Sequence, residues 1–165
     1  MITLEKSINC MAHTYTNINV HIIFHIKNTS CVIREEDLSR IFQYIGGIIR
    51  EISGYAYKVG GMSDHIHILA ALPMASSIAD FVRIIKSNTS KWIKSLDAYY
   101  QGFKWQEGYG AFSVSESNKC AVIQYIEQQR THHQSRTAKE EFSLFLEKNG
   151  YCRDGETGMI KKRDI

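Results

Sequence analysis

The sequence predicts an α+β domain, a mostly antiparallel sheet with helices on one face. Three observations predict it. Residues 15–27 alternate apolar and polar with a period of two. Two longer stretches, 34–53 and 77–96, repeat apolar residues every three or four positions. Short β-type runs stand between and after them.

In the first strand, Ile18, Val20, Ile22, Phe24 and Ile26 share one face. Asn17, Asn19, His21, His25 and Lys27 share the other, with Ile23, so a single core-facing side is expected. In the helix that follows, Leu38, Ile41, Phe42, Ile45, Ile48, Ile49 and Ile52 form one stripe. Glu35, Glu36 and Asp37 suit its positive N-terminal end, and Gly54 is a natural stop. Gly46-Gly47 is costly inside a helix and suggests the close approach of another element.

Residues 55–60 and 65–72 read as short strands around the turn Gly61-Met62-Ser63-Asp64. Ser77-x-x-Asp80 resembles a capping box. It opens a helix with Ile78, Phe81, Val82, Ile85, Trp92, Ile93 and Leu96 inward. Residues 98–109 read as an aromatic loop and 110–115 as a last strand. A helix begins near Asn118, with Val122, Ile123 and Ile126 on its apolar side. Thr137-x-x-Glu140 caps a short helix in which Phe142, Phe145 and Leu146 can dock. The order is β-α-β-β-α-β-α-α, and its first six elements are ferredoxin-like.

The expected organisation is one domain over residues 12–150, an unassigned extension at 1–11, where Met11 is compatible with an internal start, and a polar, mobile tail at 151–165. No apolar run approaches the roughly 18–20 residues of a membrane span. No leader with an apolar core is visible, so a cytoplasmic setting is expected. Cys10, Cys31, Cys120 and Cys152 are widely spaced, which suits reduced structural thiols better than a zinc ribbon or a disulfide framework. A net charge of +3 permits nucleic-acid binding without requiring it.

His65 and His67, at i and i+2 of a strand, leave one face together and can chelate a divalent ion. Alone, the pair suits two exposed or hydrogen-bonded strand histidines better than a metal site. Tyr125 and Gln129, at i and i+4, share a helix face that His132 and His133 continue. Alone, that tyrosine is ordinary packing. Together the residues make more sense. A phenol with a pKa of about 10 is a weak nucleophile at neutral pH. It needs a base or a metal-activated electrophile. A metal held by two imidazoles and a helix amide could polarise a phosphate for its attack. Arg83, Lys86, Ser87, Ser90 and Lys94 fall on one helix face and suit a phosphate backbone, or a plain solvated surface. Tyr99, Tyr100, Phe103, Trp105 and Tyr109, with Lys104 among them, could stack on bases or pack inside.

These residues resemble the single-tyrosine HUH transposases of small bacterial insertion sequences, including those associated with repetitive extragenic palindromes. The resemblance runs through VHIIFHIKN, GGMSDHIHILAALP, IADFVRIIKSNTSKWI, KWQEGYGAFSVS, QYIEQQRTHH and EEFSLFLEKNG. It implies that Tyr125 is the nucleophile, on a C-terminal helix that completes the fold. It implies a divalent ion, Mg²⁺ or Mn²⁺, on His65 and His67, with Gln129 as third ligand. It also implies hairpin-bearing single-stranded DNA as substrate, with Arg130 added to the DNA contacts, and a homodimer. His21 matches a family histidine that is not taken as a ligand. Ser63 stands where the family often has proline, which alters only the turn. Two other classes remain compatible. A hairpin-binding regulator that does not cut would bind DNA in a salt-sensitive way without covalent adducts. A small-molecule hydrolase using the histidine pair would turn over without DNA.

Overall fold

Four antiparallel strands lie in the order β2-β3-β1-β4, the arrangement that a ferredoxin-like chain order produces. The structure, a computed structural model, describes residues 15–129, 143–147, 149–153 and 160–162. The strands are β1 (Asn19–His25), β2 (Tyr55–Met62), β3 (His65–Ala71) and β4 (Gly110–Val114). Helix α1 (Glu35–Glu51) joins β1 to β2, α2 (Ile78–Leu96) joins β3 to β4, and α3 (Lys119–Glu127) follows the sheet. The turn between β2 and β3 is Ser63-Asp64, shorter than the four residues expected, because Gly61 and Met62 still pair with Ile66 and His65.

The core lies between the sheet and α1 and α2. Val20, Ile22 and Phe24 of β1 and Ile66, Ile68 and Ala70 of β3 meet Leu38, Ile41, Ile45 and Ile49 of α1 and Phe81, Val82 and Ile85 of α2. Burying such side chains contributes roughly 1.5–3 kcal/mol each. Ser77 caps α2 as its pattern predicts, its Oγ accepting the Asp80 N–H at 3.0 Å.

The other face of β1 departs from expectation. Asn19, His21 and Ile23 are buried, not solvated. Helix α3 crosses over β2 and β3 there, and the helical residues 143–147 bring Phe145 against His21. The central strand is thus covered on both sides. Ile18 precedes the strand and is exposed.

Glycine roles also differ. Ser53, with φ of 63°, takes the left-handed position after α1, so Gly54 is not the stop itself. Gly54 is needed for space: a Cβ there would stand 3.0 Å from Ile49 and from Phe81. Among the described residues nothing approaches Gly46 or Gly47 closely: an added Cβ meets no atom within 4 Å. Gly46→Ala and Gly47→Ala are therefore expected to stabilise the chain by about 0.5–1 kcal/mol each, read as a raised denaturation midpoint.

Strands β5 (Tyr151–Arg153) and β6 (Ile160–Lys162) pair antiparallel where an irregular tail is expected. The extension at 1–11, the Thr137–Glu140 cap, Phe142, His132, His133 and Arg130 lie outside the described residues.

Candidate functional site: an imidazole cluster under the tyrosine helix

Alternation along β3 turns Ile66 and Ile68 into the helical core and His65 and His67 onto the opposite face. The β1–β3 register sets His25 opposite His65 and Ile23 opposite His67. Four imidazoles therefore share one patch. Ring centroids are 5.0 Å apart for His65 and His67, 5.4 Å for His25 and His65, and 5.2 Å for His21 and His67.

Two of these rings are held from behind. His65 Nδ1 lies 2.7 Å from Asp64 Oδ1, so its N–H donates to that carboxylate and holds its pKa below the usual range. His67 Nδ1 lies 3.0 Å from His21 Nε2 in a buried contact. Burial pushes the His21 pKa down to about 4, so its ring is neutral at pH 7. Both gripped nitrogens are Nδ1, which directs Nε2 of His65 and His67 to any further partner.

Helix α3 seats on this face because β2 has no side chain at Gly60. A Cβ there would come within 2.6 Å of Ile126 Cγ2 and 3.2 Å of its carbonyl oxygen. Lys58 Nζ and Glu127 Oε1, 2.6 Å apart, tie the helix end to the same strand. The half-buried Tyr125 ring then stands 5.7 Å from His67 and 6.1 Å from His21, centroid to centroid. Phe145 lies 6.4 Å away, tilted only 25° from the tyrosine plane. Gln129 is buried just past α3. The structure thus brings Tyr125 and His67 together from residues far apart in the chain.

A cleft of about 420 Å³ opens beside the tyrosine, with His21 and Tyr125 on its wall. Among the described residues, no three His, Cys, Asp or Glu side chains converge as a metal site.

Most of the residues expected to track DNA lie across the sheet from the imidazole patch. Arg83, Lys86, Ser87, Ser90 and Lys94 stand on α2, in the layer beneath the sheet, whereas His65 and His67 project from the sheet's other face. Arg83 pairs with Asp80 at 3.0 Å on an exposed surface. Lys86 donates to the carbonyls of Gln106 and Gly108 at 2.7 and 2.8 Å, and burial lowers its pKa. It ties down the loop before β4. Ser87 and Lys104 are exposed, while Ser90 and Lys94 are half-buried.

Most of the aromatic loop corrects the stacking expectation. Trp105 is only 9% exposed. Its Nε1 donates to Thr89 Oγ1 at 3.1 Å, and its ring meets Phe24 and Phe103 edge-on. It is a core residue with no face for a base. Tyr100 and Phe103 are fully buried. The Tyr100 hydroxyl donates to Asp37 at 2.7 Å, and burial pushes its pKa up to about 12. Tyr99 and Tyr109 remain exposed.

Sequence reasoning missed the roles of Asp64 and His21. The signal for Asp64 is its place directly before the histidine pair. The signals for His21 are its place on the polar face of β1 and its match to a histidine of the family that the sequence resembles.

The comparisons bear on this geometry. A candidate transposase from Deinococcus radiodurans is 22% identical, with a TM-score of 0.55, over 72% of this chain and 95% of that one. A REP-associated tyrosine transposase bound to a REP hairpin is 13% identical, with a TM-score of 0.54, over 74% of this chain and 73% of that one. At these identities the two establish the fold. No curated protein matches the chain. The family described as IS200-like transposases matches residues 14–129, more than half of the sequence. By that match, over the segment that carries both the imidazole cluster and Tyr125, the chain belongs to the IS200-like transposase family.

Proposed function

We propose that this transposase cuts and rejoins single-stranded DNA, with Tyr125 as nucleophile and a divalent ion, Mg²⁺ or Mn²⁺, held by His65, His67 and Gln129. The observation that carries the reading is the Tyr125 ring 5.7 Å from that of His67, set there by the close seating of α3 on β2. The donor set fits a metal. Each imidazole is gripped at Nδ1, by Asp64 or by His21, in the pattern that orients metal-ligating histidines. When bound, the ion would polarise the scissile phosphate.

The chain's own groups do the rest. Tyr125 Oη attacks phosphorus in line and loses its proton, the bond to the 3′ oxygen breaks, and that oxygen takes up a proton. The new phosphotyrosine keeps the bond energy, so a second 3′-OH can reverse the step and seal a new junction without ATP. The hairpin in the REP-associated structure supports a hairpin-bearing single strand as partner. A homodimer belongs to the same reading, with a two-chain mass expected on sedimentation. Among the described residues, no helix is long and apolar enough to cross a membrane.

The test is a denaturing gel of the protein incubated with Mn²⁺ and single-stranded oligonucleotides from the DNA flanking its gene. A covalent band that requires the single strand and vanishes with EDTA is expected. Hairpin binding with no adduct under any metal would favour a regulator that does not cut. Turnover of small phosphoesters without DNA would favour a hydrolase.

His21 gives a second expectation. For Nε2 of a neutral His67 to accept a metal, its Nδ1 must carry the proton and donate to His21. His21→Phe removes that acceptor, and Mn²⁺ affinity should fall about 10–100-fold. His21→Gln, whose Oε1 can accept in the same place, should keep most of it. Electron paramagnetic resonance of Mn²⁺ binding measures this without DNA. Equal affinity in both variants would make His21 a packing residue only.

A further inference from the structure

We propose that the cleft beside Tyr125 receives a nucleobase, that of the nucleotide on the 3′ side of the cut, which stays joined to the tyrosine. This rests on the strand-cutting reading above. The cleft, about 420 Å³, lies between β4, α3 and the helical residues 143–147. That volume falls within the range of small-molecule sites and admits a base with its sugar.

Its chemistry suits a neutral aromatic heterocycle. Phe112 and Phe145 form a corner, their centroids 4.8 Å apart and their planes 77° apart, with Val122 on the apolar wall. Such surfaces bind the π-face of any base. Asn118 and Asn149 add carboxamides, which offer donors and acceptors to a base edge. No Lys, Arg, Asp or Glu is among its described lining residues, so a phosphate is not the natural occupant.

Position selects the nucleotide. Tyr125 and His21 line the cleft, whereas His65 and His67 do not. In an in-line displacement the attacking and leaving oxygens lie on opposite sides of phosphorus. The strand that departs with its 3′-OH therefore leaves away from Tyr125, and the strand that keeps the 5′ phosphate remains beside it. A base within one nucleotide of that phosphate reaches the cleft.

Two experiments test this separately from strand cutting. In the first, oligonucleotides that lack one base at a time are compared in adduct formation. Loss of the base just 3′ of the cut should slow the parent chain about 10-fold or more. Val122→Trp, which fills the cleft, should show that slower rate with the intact strand and no further loss with the abasic one. In the second, the methyl resonances of Ala121 and Val122 are followed during titration with 5′-mononucleotides. They should shift in the parent, and the Ala121 shift should vanish in Val122→Trp. An adduct whose rate ignores that base overturns the cleft and leaves the cutting intact. Methyl shifts with no adduct on any strand support the cleft and overturn the cutting. Neither shifts nor adduct overturns both.

Discussion

Tyr125→Phe is expected to fold and bind hairpin DNA as the parent chain does, yet form no covalent adduct. The substitution removes one oxygen from a half-buried ring and keeps its contacts with His67, His21 and Phe145. The change in stability should stay within about 1 kcal/mol, because only one hydroxyl is lost. Adduct formation should fall at least about 10⁴-fold, as when a covalent nucleophile is removed elsewhere. A denaturing gel reads the adduct and a native gel reads binding. A normal adduct yield would remove Tyr125 as nucleophile. Binding that fails together with the adduct would mean that the phenol serves recognition.

Gly60→Val should damage both stability and cutting, through a position that touches neither substrate nor metal. The new side chain would collide with Ile126, beginning from a Cβ at 2.6 Å from Cγ2. Overpacking of this kind costs about 1–3 kcal/mol. Since Ile126 is the residue after Tyr125, α3 must lift, and Tyr125 and Gln129 lift with it. A displacement of about 1 Å in a reacting group can cost roughly 100-fold in rate. The milder Gly60→Ala, combined with Ile126→Ala, should recover part of both losses, because removing Cγ2 leaves only the carbonyl contact at 3.2 Å. The coupling between the two positions is the diagnostic quantity, read from denaturation midpoints and adduct rates. Additive effects would mean that Gly60 does not set the seat of the helix.

Much of the fold was legible because local rules and the tertiary structure agree. The stripe of α1 reflects one interface and the cap at Ser77 one local hydrogen bond, and both are present. Where two interfaces compete for one element, the pattern misleads. The polar face of β1 reads as solvated because Asn19, His21 and His25 are polar, yet α3 and Phe145 cover it. The aromatic loop leaves stacking and packing both open because glycines and charges interleave it, and Tyr100, Phe103 and Trp105 turn inward. Gly46-Gly47 reads as a contact because glycine is costly in helices, and nothing in the structure explains its presence.

Strand period put the two histidines on one face, and helix spacing put Tyr125 with Gln129, but neither pattern alone set them apart from packing. Their proximity was not legible, because it depends on Gly60, whose lack of a side chain leaves no periodic trace. The grip of His21 on His67 was hidden for a related reason. It crosses two strands diagonally, with His21 paired to Leu69 and His67 to Ile23, and only the register reveals it.

The order of elements has a consequence for the chain during its synthesis. The sheet is complete in sequence at Val114, before the ribosome has reached Tyr125. A chain that stops between the two carries His21, His65 and His67 but lacks the phenol. On the proposed reading, a product of interrupted translation would hold the imidazoles and no nucleophile. Cutting, on the proposed reading, would wait on the segment that carries α3 to the sheet, because that helix follows all four strands in the chain.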